Sequence, residues 1–224
     1  MVAASEAPVS GDLSILTDAE LEDRVAFLKT RFKDGERYAQ IWQSGFTGAW
    51  AAGAVIGTVQ ASLSSEPDNR VPAIVTAGKA VIGTTRLLLS PHPARLGTSP
   101  LEVEAGDRRT LLEAQVMAGE VHLLEIESKA RGRKNWIAHA ANIGLNAVGG
   151  GIIVGLGNPS DAISNVGVGI LFGELMLWTM PSRGEEDLRD YRTIVRNGAV
   201  NPKPPKPRVA FGPTTTGVFL QVQF

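Results

Sequence analysis

Lys79, His139, Asn142, Asn146 and Glu174 interrupt otherwise apolar stretches of the chain, and they are the side chains whose types could do chemistry. His139, Asn142 and Asn146 stand at i, i+3 and i+7, so a helix would place them on one face. Glu174 lies on the next apolar stretch, together with Asn165, and Lys79 on an earlier one. A buried Lys79–Glu174 or His139–Glu174 pair is expected to join these stretches as a satisfied polar core contact. A polar pathway or a ligand pocket is the other use such residues have.

The remaining catalytic inventory is thin. The chain has no cysteine, which removes thiol nucleophiles, thiolate metal ligands and disulfides. His92, His122 and His139 are the only histidines. His92 stands between Pro91 and Pro93, and an exposed turn is expected there. Glu120, His122 and Glu125 suggest a carboxylate site, but a di-iron bundle needs Glu-x-x-His from each of two helices, so a solvated helix face is expected. No Ser–His–Asp or paired-carboxylate arrangement stands out. The reading is therefore a non-enzymatic protein with no cofactor and no metal.

Glycine motifs do not change this. Gly167-Val-Gly169 with Gly173 is off the dinucleotide spacing, and Gly78-Lys79 lacks the upstream glycine of a phosphate loop. The run 153–159, IVGLGNP, resembles the glycine-turn segment of peptidyl-tRNA hydrolases. That resemblance implies a segment opening the chain and followed by a His–Asn pair. Here it sits mid-chain with no histidine after Pro159, so the activity is not carried over.

The elements that must position the polar residues follow from punctuation and periodicity. The fold expected is mainly α: a bundle of two Gly-rich apolar helical hairpins with flanking amphipathic helices, plus a C-terminal β-hairpin. Residues 1–16 read as a flexible lead-in and 17–198 as the helical domain. Thr17-Asp18-Ala19-Glu20 is a capping box, and Leu21, Val25, Leu28 and Phe32 make one apolar face. The helix is open to running on through Tyr38, Ile41 and Trp42, with Gly35 a candidate kink. The first hairpin has arms 44–62 and 71–89, with a polar turn over 64–70 and a stop at Pro91 and Pro93. An amphipathic helix over 107–130 follows. The second hairpin has arms 137–157 and 162–180, turning at Asn158-Pro159-Ser160-Asp161 with Ser160 or Asp161 as cap. A charged helix over 184–196, a stiff Pro-rich linker over 199–207 and a β-hairpin over 208–224 complete the chain.

The chain has 25 glycines, and most fall inside apolar segments. Gly53/Gly57, Gly151/Gly155 and Gly169/Gly173 are GxxxG pairs on three different arms, the spacing that lets helix backbones approach closely. Each arm is near the length that spans a bilayer, although mean hydropathy is below that of a usual single span. Two readings follow: membrane hairpins whose polar groups face one another, or the buried core of a soluble bundle that holds a lipid or other hydrophobic ligand. Lys129, Arg131, Arg133, Lys134 and Trp136 stand at the border of an apolar arm and suit an anionic headgroup region.

Net charge is −1, from 22 basic and 23 acidic side chains, which leaves no global field for nucleic acid. The expected partners are a membrane or lipid, and a second copy or another protein docking on the C-terminal hairpin by strand addition. Placement divides two ways. Ala3 and Ala4 before Ser5-Glu6-Ala7-Pro8 resemble the end of a signal cleavage site, and a strand ending in Phe224 resembles the last strand of bacterial outer-membrane barrels. Both suggest an exported protein of the bacterial cell envelope. Hairpin tips poor in Lys and Arg suggest instead an inner-membrane protein with both termini in the cytoplasm.

Overall fold

The computed structural model describes residues 9–197, and the backbone alone of 208–214 and 217–223. It is mainly helical. Six α-helices follow in order: α1 (Asp18–Leu63), α2 (Pro67–Leu89), α3 (Arg108–Gly132), α4 (Trp136–Leu156), α5 (Pro159–Trp178) and α6 (Gly184–Asn197). The expected C-terminal β-hairpin falls outside the residues whose side chains are described.

Helix α1 is a single element of 46 residues, about 69 Å long at 1.5 Å per residue. Its start is the capping box: the Thr17 hydroxyl accepts from the Glu20 N–H at 3.3 Å, and the Glu20 carboxylate accepts from the Thr17 N–H at 2.8 Å. Gly35 does not interrupt it. About thirteen turns of continuous hydrogen bonding absorb the roughly 1 kcal/mol that one glycine costs a helix.

The two halves of α1 meet different surroundings. Leu21, Val25, Leu28 and Phe32 are buried, with Leu112 and Val116 of α3 on one side and Leu123, Ile126, Leu188, Tyr191 and Ile194 of α3 and α6 on the other. This polar-surfaced unit is the base. Each fully buried aliphatic or aromatic side chain in it contributes about 1.5–3 kcal/mol. Tyr38, Trp42 and Phe46 then pack with Leu87 and Met176 at the junction. Beyond Phe46, α1 lies along α2 so closely that a Cβ on Gly57 would stand 2.8 Å from the Ala77 nitrogen and 2.9 Å from the Ala73 oxygen.

Helices α1 and α2 form one hairpin and α4 and α5 a second. Val71, Val75, Ile153 and Ala162 cluster at the far end, while Leu87 and Met176 share the junction, so both tips point away from the base. α5 starts at Pro159, earlier than expected, because Asn158 is its cap: the Asn158 side chain accepts from the Ser160 N–H at 3.0 Å. Proline at the first helical position needs no N–H there. Residues 152–154 are helical, so the glycine run 153–159 forms a helix end and a hairpin tip instead of a strand-borne loop.

The surface of the two hairpins is apolar. Of the large apolar side chains exposed among the described residues, all but Ile15, Leu96, Met117 and Val121 lie on the far half of α1 and on α2, α4 and α5. Helices α2, α4 and α5 are each long and apolar enough to cross a membrane.

Two expectations about the base are overturned. His92 is fully buried, not exposed. Its N–H donates to Gln43 Oε1 at 3.0 Å, and its Nδ1 accepts from the Ala94 N–H at 3.3 Å, so the flanking prolines turn the ring inward to cap a short 3-10 turn. Glu120 and His122 are 1% and 3% exposed, not a solvated face. Glu120 accepts from the Ser10 N–H at 3.1 Å, from the Ser10 hydroxyl, and from the Tyr191 hydroxyl at 2.8 Å. His122 stands edge-on to Phe32. Among the described residues no group of three His, Asp or Glu could hold a metal ion.

Candidate functional site

The polar residues of the hairpins meet in one connected file. Lys79 on α2 donates to Asn146 Oδ1 at 2.9 Å, to Asn165 Oδ1 at 2.6 Å and to the Asn165 carbonyl at 3.3 Å. Asn146 donates to Asn142 Oδ1 at 3.1 Å and to the Asn142 carbonyl at 2.9 Å. Asn142 donates to Glu174 Oε1 at 2.9 Å and to the Ile170 carbonyl at 3.1 Å. Glu174 Oε2 faces His139 Nδ1 at 2.6 Å, and His139 Nε2 faces the Arg133 carbonyl at 3.0 Å. At the other end Asn165 donates to the Thr76 hydroxyl at 2.8 Å. Helical spacing brings His139, Asn142 and Asn146 to one face of α4, and that face looks at α5 and α2.

Three oxygens around Lys79 match the three N–H donors of an ammonium. Both ring nitrogens of His139 face oxygens, those of Glu174 and of the Arg133 carbonyl. Among the described residues no carboxylate lies within ion-pair distance of Lys79, and the carboxylate of the file, Glu174, pairs with His139 instead.

Lys79 joins the hairpins, but through Asn146 and Asn165 instead of Glu174. The His139–Glu174 pair lies within the second hairpin and does not bridge to the first. Asn165 and Thr76 complete the file. A signal for Asn165 was present, since it stands at i, i+4 and i+8 with Gly169 and Gly173.

Glycine makes the room. A Cβ on Gly169 would collide with the Asn146 side chain, and one on Gly173 with the Asn142 side chain. On the first hairpin Gly57 meets the α2 backbone, and Gly53 stands in ordinary contact with Ala80. Gly151 and Gly155 are different: a Cβ on either meets nothing within 4 Å. The close contacts of α4 are made by Gly149, against Val75, and Gly150, against Val166.

The basic residues near the junction act at helix ends. Lys129 donates to the carbonyl and hydroxyl of Ser90, at 3.0 and 2.6 Å, where α2 ends. Arg133 reaches the carbonyls of Trp178 and Met180 at 3.4 Å, where α5 ends. Cations there oppose the negative end of the helix dipole. Arg131 pairs with Glu127, and Lys134 with Glu185 at 2.6 Å. Trp136 and Trp178 are 73% and 72% exposed on the base-side ends of α4 and α5.

Beside Lys79 the hairpins part. A cleft of about 470 Å³ opens between α1, α2 and α5, lined by Trp50, Pro72, Thr76, Lys79, Val168 and Phe172, among others. The ring of Phe172 closes it toward the base, edge-on to Phe46 and Trp50 with centroids 5.6 and 4.9 Å away. No protein family, curated protein or solved structure matches the chain.

Proposed function

We propose that the chain is an integral membrane protein of the cell envelope, non-enzymatic, with a structural or assembly role. In this reading its two Gly-rich hairpins are embedded in the bilayer and the base stands at the surface. One observation carries the reading: the polarity of the hairpins is inverted. The connected file of polar side chains from Thr76 to His139 faces inward, and the large apolar side chains face outward, with the exposed Arg86 in the last turn of α2, at the base-side end. In water that arrangement exposes what the hydrophobic effect would bury. In lipid it is the stable one.

Further features agree. Trp136 and Trp178 stand where an interfacial aromatic belt would lie. Lys129, Arg131, Arg133 and Lys134 gather at the same level. The tips carry Arg70 as their one basic residue. Of the two placements, an exported protein and an inner-membrane protein with its base inside, the charge distribution favours the second. The C-terminal segment is read as a β-hairpin for docking a second copy or a partner. Antiparallel backbone pairing of Arg208–Thr214 with Gly217–Gln223 supports this.

Extraction tests the reading. The full chain should stay with membranes through alkaline carbonate and leave only with detergent. Protein that is soluble without detergent would overturn it and favour the soluble lipid-binding module.

A further inference from the structure

The geometry points to the cleft between α1, α2 and α5 as a binding site for a single-chain anionic amphiphile, a fatty-acid-like carboxylate whose head sits on Lys79. This deepens the membrane reading, because the mouth of the cleft then opens sideways into lipid.

Charge is the first argument. Lys79 is 9% exposed and held only by neutral amide groups. The carboxylate of the file, Glu174, is taken by His139, so no anion contacts the ammonium. A cation in an apolar layer is stabilised by an anion far more than by amide oxygens. The contact with the Asn165 carbonyl is the longest of the three, at 3.3 Å, and a carboxylate oxygen could take its place without disturbing Asn146.

Shape is the second argument. The volume, about 470 Å³, falls within the roughly 300–1,000 Å³ of small-molecule sites, and suits one acyl chain rather than two. The walls beyond Lys79 are apolar: Trp50, Pro72, Val168 and Phe172. Phe172 shuts the end nearest the base. Asp161 stands at the tip end and repels an anionic head there, which leaves Lys79 as the place for it.

Depth selects the class of head group. Lys79 is 12 residues from the start of α2 and 10 from its end, so it sits about 15–18 Å from either end at 1.5 Å per residue. A carboxylic acid can travel to that depth as the neutral acid, its proton returning to the water phase as the carboxylate pairs with the ammonium. A phosphate diester would have to arrive charged.

The test uses the full chain in phosphatidylcholine nanodiscs, a brominated palmitic acid, and the matching brominated alcohol. Bromine quenches nearby tryptophan, and Trp50 lines the cleft. The expected result is a saturable quench by the acid, at least tenfold weaker for the alcohol. That saturable phase should be lost in Trp50→Phe and in Lys79→Met and kept in Lys79→Arg. Quenching that rises without saturation, or acid and alcohol that match on the wild-type chain, would overturn the site even if no variant folded. So would a folded Lys79→Met that binds the acid as the wild type does. Carbonate extraction judges the membrane reading separately, so a chain that is soluble yet binds the acid saturably would sink that reading alone.

Discussion

The Lys79 ammonium donates to Asn146 Oδ1 at 2.9 Å across the two hairpins. This bond, the two to Asn165 and the Asn165–Thr76 bond are where polar chemistry holds α2 to α4 and α5. Replacing Asn146 with Leu takes one of three acceptors from a buried cation and should lower stability by about 1–3 kcal/mol. Replacing Lys79 with Met alone leaves Asn146 its bonds to Asn142 as donor but orphans its oxygen. The double variant removes both and should lie closer to wild type than the sum of the two losses. Thermal melts in detergent measure the cycle, and a coupling of about 0.5–3 kcal/mol is expected for groups in contact. Additive losses would show that the bond contributes nothing.

Glycine positions separate sharply on the same footing. Gly57→Ala pushes a methyl against backbone atoms of Ala73 and Ala77, which cannot swing aside. It should destabilise the first hairpin by about 1–3 kcal/mol. Gly155→Ala meets open space and should stabilise by up to about 1 kcal/mol through helix propensity. Melting both variants checks the pair, and equal effects would contradict the packing described.

Two buried ionisable groups in the base give opposing pH dependences. Burial, aided by the Lys129 charge, pushes His92 down from 6.5 to about 4. The unfolded chain therefore binds the extra proton first. His92 contributes stability that is complete above pH 6.5 and is lost as pH falls toward 4, about 3 kcal/mol at most. Burial pushes Asp187 the other way, from 3.8 to about 6, against the pull of Arg183 and Arg31. Its folded-state protonation adds stability below about pH 4 that is lost as pH rises through 6. The two cancel in part, so each needs its own variant. His92→Asn keeps an acceptor for the Ala94 N–H, and the stability gap between wild type and this variant should shrink as pH falls from 6.5 to 4. The gap between wild type and Asp187→Asn should grow in wild type's favour over pH 6 to 4. Gaps that do not change with pH would refute these assignments.

Much of the fold was legible because its signals are local. The capping box at Thr17 and Glu20, the stops at Pro91 and Pro93, and the 3.6-residue spacing of His139, Asn142 and Asn146 all act within a few residues. What was hidden depends on distant partners. Glu120 is buried by Ser10, 110 positions away, and His92 by Gln43, 49 positions away. Neither relation leaves a periodic trace. GxxxG spacing shows that two glycines share a face but not which face. Gly57 therefore meets a neighbour while Gly151 and Gly155 look outward, and Gly149 and Gly150 take their place. Lys79 carried no sign of its partner because the offset between hairpins is set by the glycine contacts themselves.

The absence of native cysteine allows the central claim to be probed one site at a time. Ser65→Cys and Ser160→Cys mark the two tips, and Glu104→Cys marks the base; all three positions are exposed. In intact cells a membrane-impermeant maleimide should label both tip sites, and label Glu104→Cys only after the membrane is opened. Equal labelling of tip and base, or labelling of one tip without the other, would contradict two hairpins crossing the bilayer from a common base.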